Sequence, residues 1–312
     1  MNNGRRGLML AALLAAPGLI ESASAADANL ALAAAARSGD AGAVLVAIDA
    51  GAEIDRPAAS GDTPLMRAAA TGHVRAAEAL LAKGAKLELR NADGDTPLLV
   101  AARACASGVV RVLVTAGADV AASSPDESTA LMLAADRCAE GALKPLVPRT
   151  SLLDAQDQHG WTAVWRAVDH NNLPALAALL SAGADLRIAP PGQPDPLHHA
   201  IERRASGAAI LLVQHGAAAD KPDDAGITPL MLAARAGDSK VIEELLKSGA
   251  NPDRQNKLGL TALMIAAAAG QTEAVAALLT GKANASLRDK RKETALDIAT
   301  SAAAQDVVRL LK

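Results

Sequence analysis

The sequence predicts an all-α solenoid: about nine stacked helix-turn-helix units joined through β-hairpin or turn tips. Three observations carry that prediction. A Thr-Pro-Leu-like signal returns every 33 residues along most of the chain. A Gly-Ala pair follows it 21 residues behind in most copies. The composition also lacks the bulky rings with which a large globule fills its centre: Phe and Tyr are absent and two Trp serve 312 residues. Thin helical layers do not need such rings, because small residues let helices approach closely.

The first signal stands at Thr63-Pro64-Leu65 and returns in phase at Thr96, Thr129, Thr162, Asp195, Thr228, Thr261 and Thr294. Repetition at a fixed period of this length marks a stacked array. The Gly-Ala pair occurs at 84, 117, 183, 216 and 249, and is broken at Thr150 and Lys282. A degenerate copy, Leu30-Ala31-Leu32 with Gly51-Ala52, precedes the series. The units therefore start near residues 25, 58, 91, 124, 157, 190, 223, 256 and 289. The weakest is Ser124 to Gln156, where Pro145 and Pro148 interrupt the second helix.

Within one unit, each segment has a local cause. Thr63 stands where an N-cap belongs, with Pro64 at the first helical position. Leu65 to Ala70 forms a short first helix, turned at Gly72. Val74 to Leu81 carries apolar residues at helical spacing, and Gly84 stops it as a left-handed cap. Asp, Asn and Gly near each unit start predict a tight turn that projects as a tip. One unit buries too little apolar area to fold alone, so stability sums over units and their interfaces.

These residues resemble the ankyrin repeat, whose pattern is D-x-x-G-x-T-P-L-H-x-A-A followed by L-L-x-x-G-A. The resemblance covers 26–312, essentially the whole chain after the N-terminal segment, and its best copies are Asp223 to Asp253 and Asn91 to Val120. It implies a concave groove formed by the tips and the exposed side of the first helices. Carried over position by position, it points to Asp93, Asp95, His159, Trp161, Ile227, Leu258 and Leu260 near the tips. On the first helices it points to Arg103, Arg137, His170 and Arg203. Trp161, directly after Gly160, is the expected anchor; the competing reading lays it flat on its neighbours. Trp165 occupies the place of the family's helix histidine, and His198 matches that histidine, whose ring commonly hydrogen-bonds the backbone of adjoining turns. The basic run Arg288 to Lys292 reads as a solvated capping unit, or as a surface for an acidic partner or lipid headgroups.

Cys105 and Cys138 lie 33 residues apart and so hold equivalent places in adjacent units. Elsewhere that place holds mainly Gly or Asn, as suits a left-handed residue. A Cys there costs roughly 1 kcal/mol, and two such costs side by side suggest a compensating disulfide, worth about 3–4 kcal/mol in the chain-entropy model. The alternative is two separate thiols.

The N-terminus reads as an export address: Arg5-Arg6, an apolar run Leu8 to Ile20, then Ala23-Ser24-Ala25 as a small-x-small cleavage site. Cleavage after Ala25 leaves Ala26 as the mature start, with residues 1–25 as signal peptide. The run is short for a membrane span of roughly 20 residues. The general secretory route is expected, with a twin-arginine route as the looser fit. A net charge of −3 argues against nucleic acid as partner. No phosphate loop, dinucleotide fingerprint or Ser-His-Asp set stands out. His159, His170, His198 and His199 follow no standard ligand spacing. The expectation is a monomeric, non-catalytic module of a Gram-negative periplasm, without metal or cofactor, that binds a client protein. A secreted effector engaging host proteins is the alternative.

Overall fold

The computed structural model describes residues 17–148 and 152–312, with side chains from residue 25 onward. Arg5, Arg6, most of the apolar run and Thr150 lie outside the described residues. The chain divides into two compact units, Met1–Pro125 and Asp126–Lys312.

The first unit contains three helix pairs. These are α1 (Pro17–Ser38) with α2 (Ala41–Asp49), α3 (Pro64–Thr71) with α4 (Val74–Ala82), and α5 (Pro97–Arg103) with α6 (Ser107–Thr115). Helix α1 runs without a break through Ala23-Ser24-Ala25. The second unit contains six pairs: α7 (Ala130–Arg137) with α8 (Glu140–Leu143), α9 (Ala163–Asp169) with α10 (Leu173–Ser181), and α11 (Pro196–Glu202) with α12 (Ser206–Gln214). It continues with α13 (Pro229–Ala236) and α14 (Ser239–Lys247), α15 (Ala262–Ala268) and α16 (Thr272–Thr280), and α17 (Ala295–Ser301) and α18 (Gln305–Leu311). In this unit first helices pack on first helices, and second on second, from each pair to the next. The core between the layers is small and aliphatic; Leu263, Ala266, Ala267, Val275 and Leu278 are all under 2% exposed.

The sequence signals map onto specific bonds. Thr63, Thr96, Thr129, Thr162, Thr228, Thr261 and Thr294 each accept the backbone N–H of the residue three places on, which satisfies one orphan donor of the helix start. Asp195 does the same for α11. In two copies a methionine replaces the second half of a capping box: Thr63 N–H points to Met66 Sδ at 3.4 Å, and Thr261 N–H to Met264 Sδ at 3.5 Å.

Among the described residues the tips are hydrogen-bonded turns, with no strand longer than the isolated bridge positions Ser123 and Thr129. Asn91, Asp157, Asp223, Asn256 and Asp289 open five of them in the same manner. The backbone N–H of each donates to the carbonyl four residues on, which closes the turn. Each side-chain Oδ1 also accepts the N–H groups two and four residues on, as Asp157 does from His159 at 2.8 Å and Trp161 at 3.0 Å. Neighbouring tips are laced together: Ala92 N–H donates to the Ser60 carbonyl, Lys257 to Ala225 and Lys290 to Leu258. A second joint recurs below the tips. A side-chain oxygen of one repeat accepts a backbone N–H 31 residues later, at Asp55–Lys86, Glu88–Asp119, Asp154–Asp185, Asp220–Asn251 and Asp253–Asn284.

Each complete repeat places three residues at positive φ: at the tip, after the first helix and after the second. Glycine fills most of these positions, and Cys105 (φ 55), Glu127 (φ 65), Asn171 (φ 50), Arg204 (φ 56), Lys282 (φ 63), Lys292 (φ 66) and Ala303 (φ 55) fill the rest. Cys138 departs from the expectation that it shares the left-handed conformation of its equivalents: it is extended, φ −83 and ψ 152. The cause is local. Its repeat keeps a second helix of four residues, ended ahead of Pro145 and Pro148, so no full helix follows that a left-handed turn must aim. The end of α7 is closed instead by the Asn172 side-chain amide, which donates to the carbonyls of Ala135 at 3.0 Å and Cys138 at 2.9 Å.

Candidate protein-binding surface

In the first unit the surface is spare. Asp93 is exposed at its tip. Asp95, expected beside it, is instead buried at 4% exposure. Its carboxylate takes three bonds from Arg103, Nε to Oδ2 at 3.2 Å and Nη2 to Oδ2 at 3.1 Å and to Oδ1 at 3.3 Å. Asp95 therefore holds the exposed Arg103 guanidinium in place through its Nε and Nη2 edge.

The second unit carries a polar and aromatic cluster on α7, α9 and α11. At its centre is Arg166, whose side chain is 11% exposed. Its Nη2 donates to Asp157 Oδ2 at 2.6 Å and to Ser128 Oγ at 2.6 Å, and its Nη1 donates to Asp136 Oδ2 at 3.2 Å. Burial alone would raise Asp157, but the Arg166 hydrogen bond and the N–H groups of Trp161 and His159 outweigh it and hold the carboxyl below the usual range. For Asp136 the balance reverses: burial outweighs Arg166 and His170, and its pKa rises. Asp136 Oδ1, Arg166 Nε and Trp165 Nε1 are buried without a hydrogen-bond partner.

Trp165 lies 3% exposed, stacked on His199 with ring centroids 4.0 Å apart and planes at 24°. His199 Nε2 meets Asp169 Oδ1 at 2.9 Å, and Arg203 Nε approaches the same oxygen at 3.6 Å. Trp161 is half-buried, its ring 4.8 Å from Trp165 and tilted by 43°. His159, Arg137, His170 and Arg203 are exposed around this cluster, and His170 Nδ1 donates to the Arg166 carbonyl at 3.1 Å. The structure thus brings Trp161, His170 and Arg203 to one neighbourhood through Arg166, Asp157, Asp169 and His199; of these linking residues the sequence reading did not single out Arg166 and Asp157. One signal was available: Arg166 and His199 fill a position that is aliphatic at Val100, Leu133, Leu232, Ile265 and Ile298.

His198 sits 3% exposed beneath the cluster, bonded through Nδ1 to Asp195 at 2.9 Å and through Nε2 to the Ile227 carbonyl at 3.4 Å. That is the adjoining-turn bond implied for it. Neither cysteine is a free thiol; both are disulfide-bonded.

Farther along, α15, α17 and their tips enclose a groove of about 740 Å³. Leu258, Leu260, Ile265 and Ile298 line it, with Arg235, Lys290 and Arg291 at its edge. Leu258 is 64% exposed, whereas Leu260, Ile265 and Ile298 are half-buried. Ile227, expected in the same patch, is half-buried at the preceding tip. Among the described residues no helix is long and apolar enough to cross a membrane.

A family model described as Ankyrin repeats (3 copies) matches residues 30–124, 103–190, 188–256 and 230–312. Among curated proteins, the chain is 44% identical over 62 residues to "Ankyrin repeat and SOCS box protein 16" of Homo sapiens. That stretch is 20% of this chain and 14% of the human protein.

Proposed function

The chain belongs to the ankyrin-repeat family, whose repeats generally mediate protein–protein interaction, and from that premise we propose a non-catalytic module that holds a client protein against its tips and first helices. The observation that carries the reading is the groove at α15 and α17. It joins a leucine 64% exposed to the half-buried Leu260, Ile265 and Ile298 in one lining, and contiguous apolar surface of that kind, unlike a lone exposed aliphatic, marks interaction sites. The Trp161–Trp165–His199 stack supplies a second, more polar patch of the kind that anchors interfaces.

The same proposal places the module in the periplasm, or secreted. It rests on Arg5-Arg6, the apolar run and the Ala23-Ser24-Ala25 site. Exported protein is expected to begin at Ala26, so intact mass and N-terminal sequencing of secreted material check it; a retained Met1 removes the export reading. For the surface, tagged wild-type protein and the variants Trp161→Ala, Arg203→Ala and Leu258→Ser are used to capture clients from periplasmic extract after cross-linking. Loss of the same client band in at least one folded variant is the expected result. Identical recovery by all three ends the reading.

A further inference from the structure

The groove at α15 and α17 has a sign as well as a shape. Arg235, Lys290 and Arg291 are exposed in its lining, and among the described residues none of the three is in an ion pair. Two carboxylates share the lining, Asp289 and Glu293. Asp289 is committed to its own turn, its Oδ1 accepting the N–H groups of Arg291 at 2.8 Å and Glu293 at 2.9 Å. Its charge is kept, so the lining holds three cations against two carboxylates, a balance of +1 on a chain whose net charge is −3. Lys257 and Lys292, exposed on the same two tips, add to that field.

We propose that this groove docks an acidic peptide segment of a partner protein, anchored by an aliphatic or aromatic side chain. The anchor enters between Leu258, Leu260, Ile265 and Ile298. Carboxylates on either side of it meet Lys290 and Arg291 at the tip and Arg235 on the facing helix. The division of labour is the usual one: the apolar floor supplies affinity and the charged edge supplies steering and choice of sequence. A peptide fits better than an anionic bilayer surface, because three of the four apolar residues are half-buried below the cations, where an inserted side chain reaches and a flat surface does not. The inference deepens the client-binding reading and rests on it.

The test uses the whole mature chain and three probes: a fluorescein-labelled Glu-Glu-Leu repeat peptide, its Lys-Lys-Leu counterpart, and phosphatidylglycerol vesicles. Fluorescence anisotropy should show binding of the acidic peptide, weakened by salt. The double variant Lys290→Glu, Arg291→Glu should lose about tenfold or more in affinity and turn its preference to the Lys-Lys-Leu peptide. Leu258→Ser should weaken both peptides. Lys240→Glu, exposed on α14 away from the groove lining, should leave affinity unchanged. Both tip charges are exposed, so circular dichroism should report an intact fold in the double variant, which is decisive even if Leu258→Ser unfolds. Three results overturn the proposal: no binding of the acidic peptide, equal binding of the basic one, or vesicle binding in place of peptide binding. If the peptide fails while client capture still depends on Trp161 or Arg203, the client-binding reading stands and this inference alone falls.

Discussion

Removing the Arg166 side chain would leave the Asp157 carboxylate, 1% exposed, without its counter-charge. Breaking a buried pair by deleting one partner typically costs about 3–5 kcal/mol. Arg166→Leu is therefore expected to lower the unfolding free energy by that order, read as a lower urea midpoint, although Leu stands at the equivalent Leu133 and Leu232. The turn itself needs a side-chain oxygen rather than a charge, since Asn91 and Asn256 open their turns as Asp157 does. Adding Asp157→Asn to Arg166→Leu should accordingly recover a large part of the loss, and equal midpoints for single and double variants would refute the pairing account. His198 gives a prediction in pH. Burial is the largest single influence and opposes both charges of the His198–Asp195 pair, but their hydrogen bond, their mutual attraction and the backbone bonds at the His198 N–H and the Ile227 carbonyl together outweigh it, drawing Asp195 down to about 2 and pushing His198 up. The lowered Asp195 contributes stability above its ordinary value near ~3.9, lost as pH falls toward 2; the raised His198 contributes below its ordinary value near ~6.5, lost as pH rises through its folded value. The pair thus stabilises most between about pH 4 and 6.5. His198→Met, which installs the residue found at Met231 and Met264, should lower Tm most near pH 5 and progressively less above neutrality. A pH-independent difference would refute this. Trp165 and His198 were legible as equivalent positions because each follows its helix cap, Thr162 or Asp195, at the same offset. The Arg166 cluster was not, because its partners lie 9 to 38 residues away and no local pattern predicts which carboxylates converge.

At the scale of the helix pair, stability is set by how the chain leaves each helix. Gly249 ends α14 at φ 90, and a Cβ there would meet nothing within 4 Å. The cost of Gly249→Ala is therefore conformational alone, about 1 kcal/mol. Lys282 ends α16 at φ 63, and the glycine lies one residue earlier. Lys282→Gly should stabilise by about the same amount. Chemical denaturation of the two variants should displace the midpoint in opposite directions, and shifts of the same sign would contradict the left-handed cap as the cause. Repeats, caps and turn residues were readable because each is written within a dozen neighbouring residues. Cys138 was not: its equivalence to Cys105 holds in sequence spacing, but Pro145 and Pro148 shorten the following helix to Glu140–Leu143, and the backbone need that made glycine common there disappears.

For the molecule as a whole, the chain holds two cysteines and neither is a free thiol. The Cys105–Cys138 pairing read from their spacing expects a monomer two hydrogens lighter than the reduced protein by intact mass. A linked dimer on a non-reducing gel would refute that pairing. Length and repeat number were legible throughout because the phase of the Thr63 series never slips, and so was the basic tip Arg288 to Lys292; its junction with Arg235 and the aliphatic floor in one groove was not, because these residues are brought together from separate repeats. The recurring joint from a side-chain oxygen to an N–H 31 residues later has a further meaning. A module that bears this joint carries a plug on one side and a socket on the other, both of the same pattern, whereas Ala121 and Arg187 stand at the equivalent place without an oxygen to offer. Excising residues 223–255 would bring Asp220 into register with Asn284 and strand no polar group at that seam, so the array can be shortened or lengthened by whole periods while its couplings remain interchangeable.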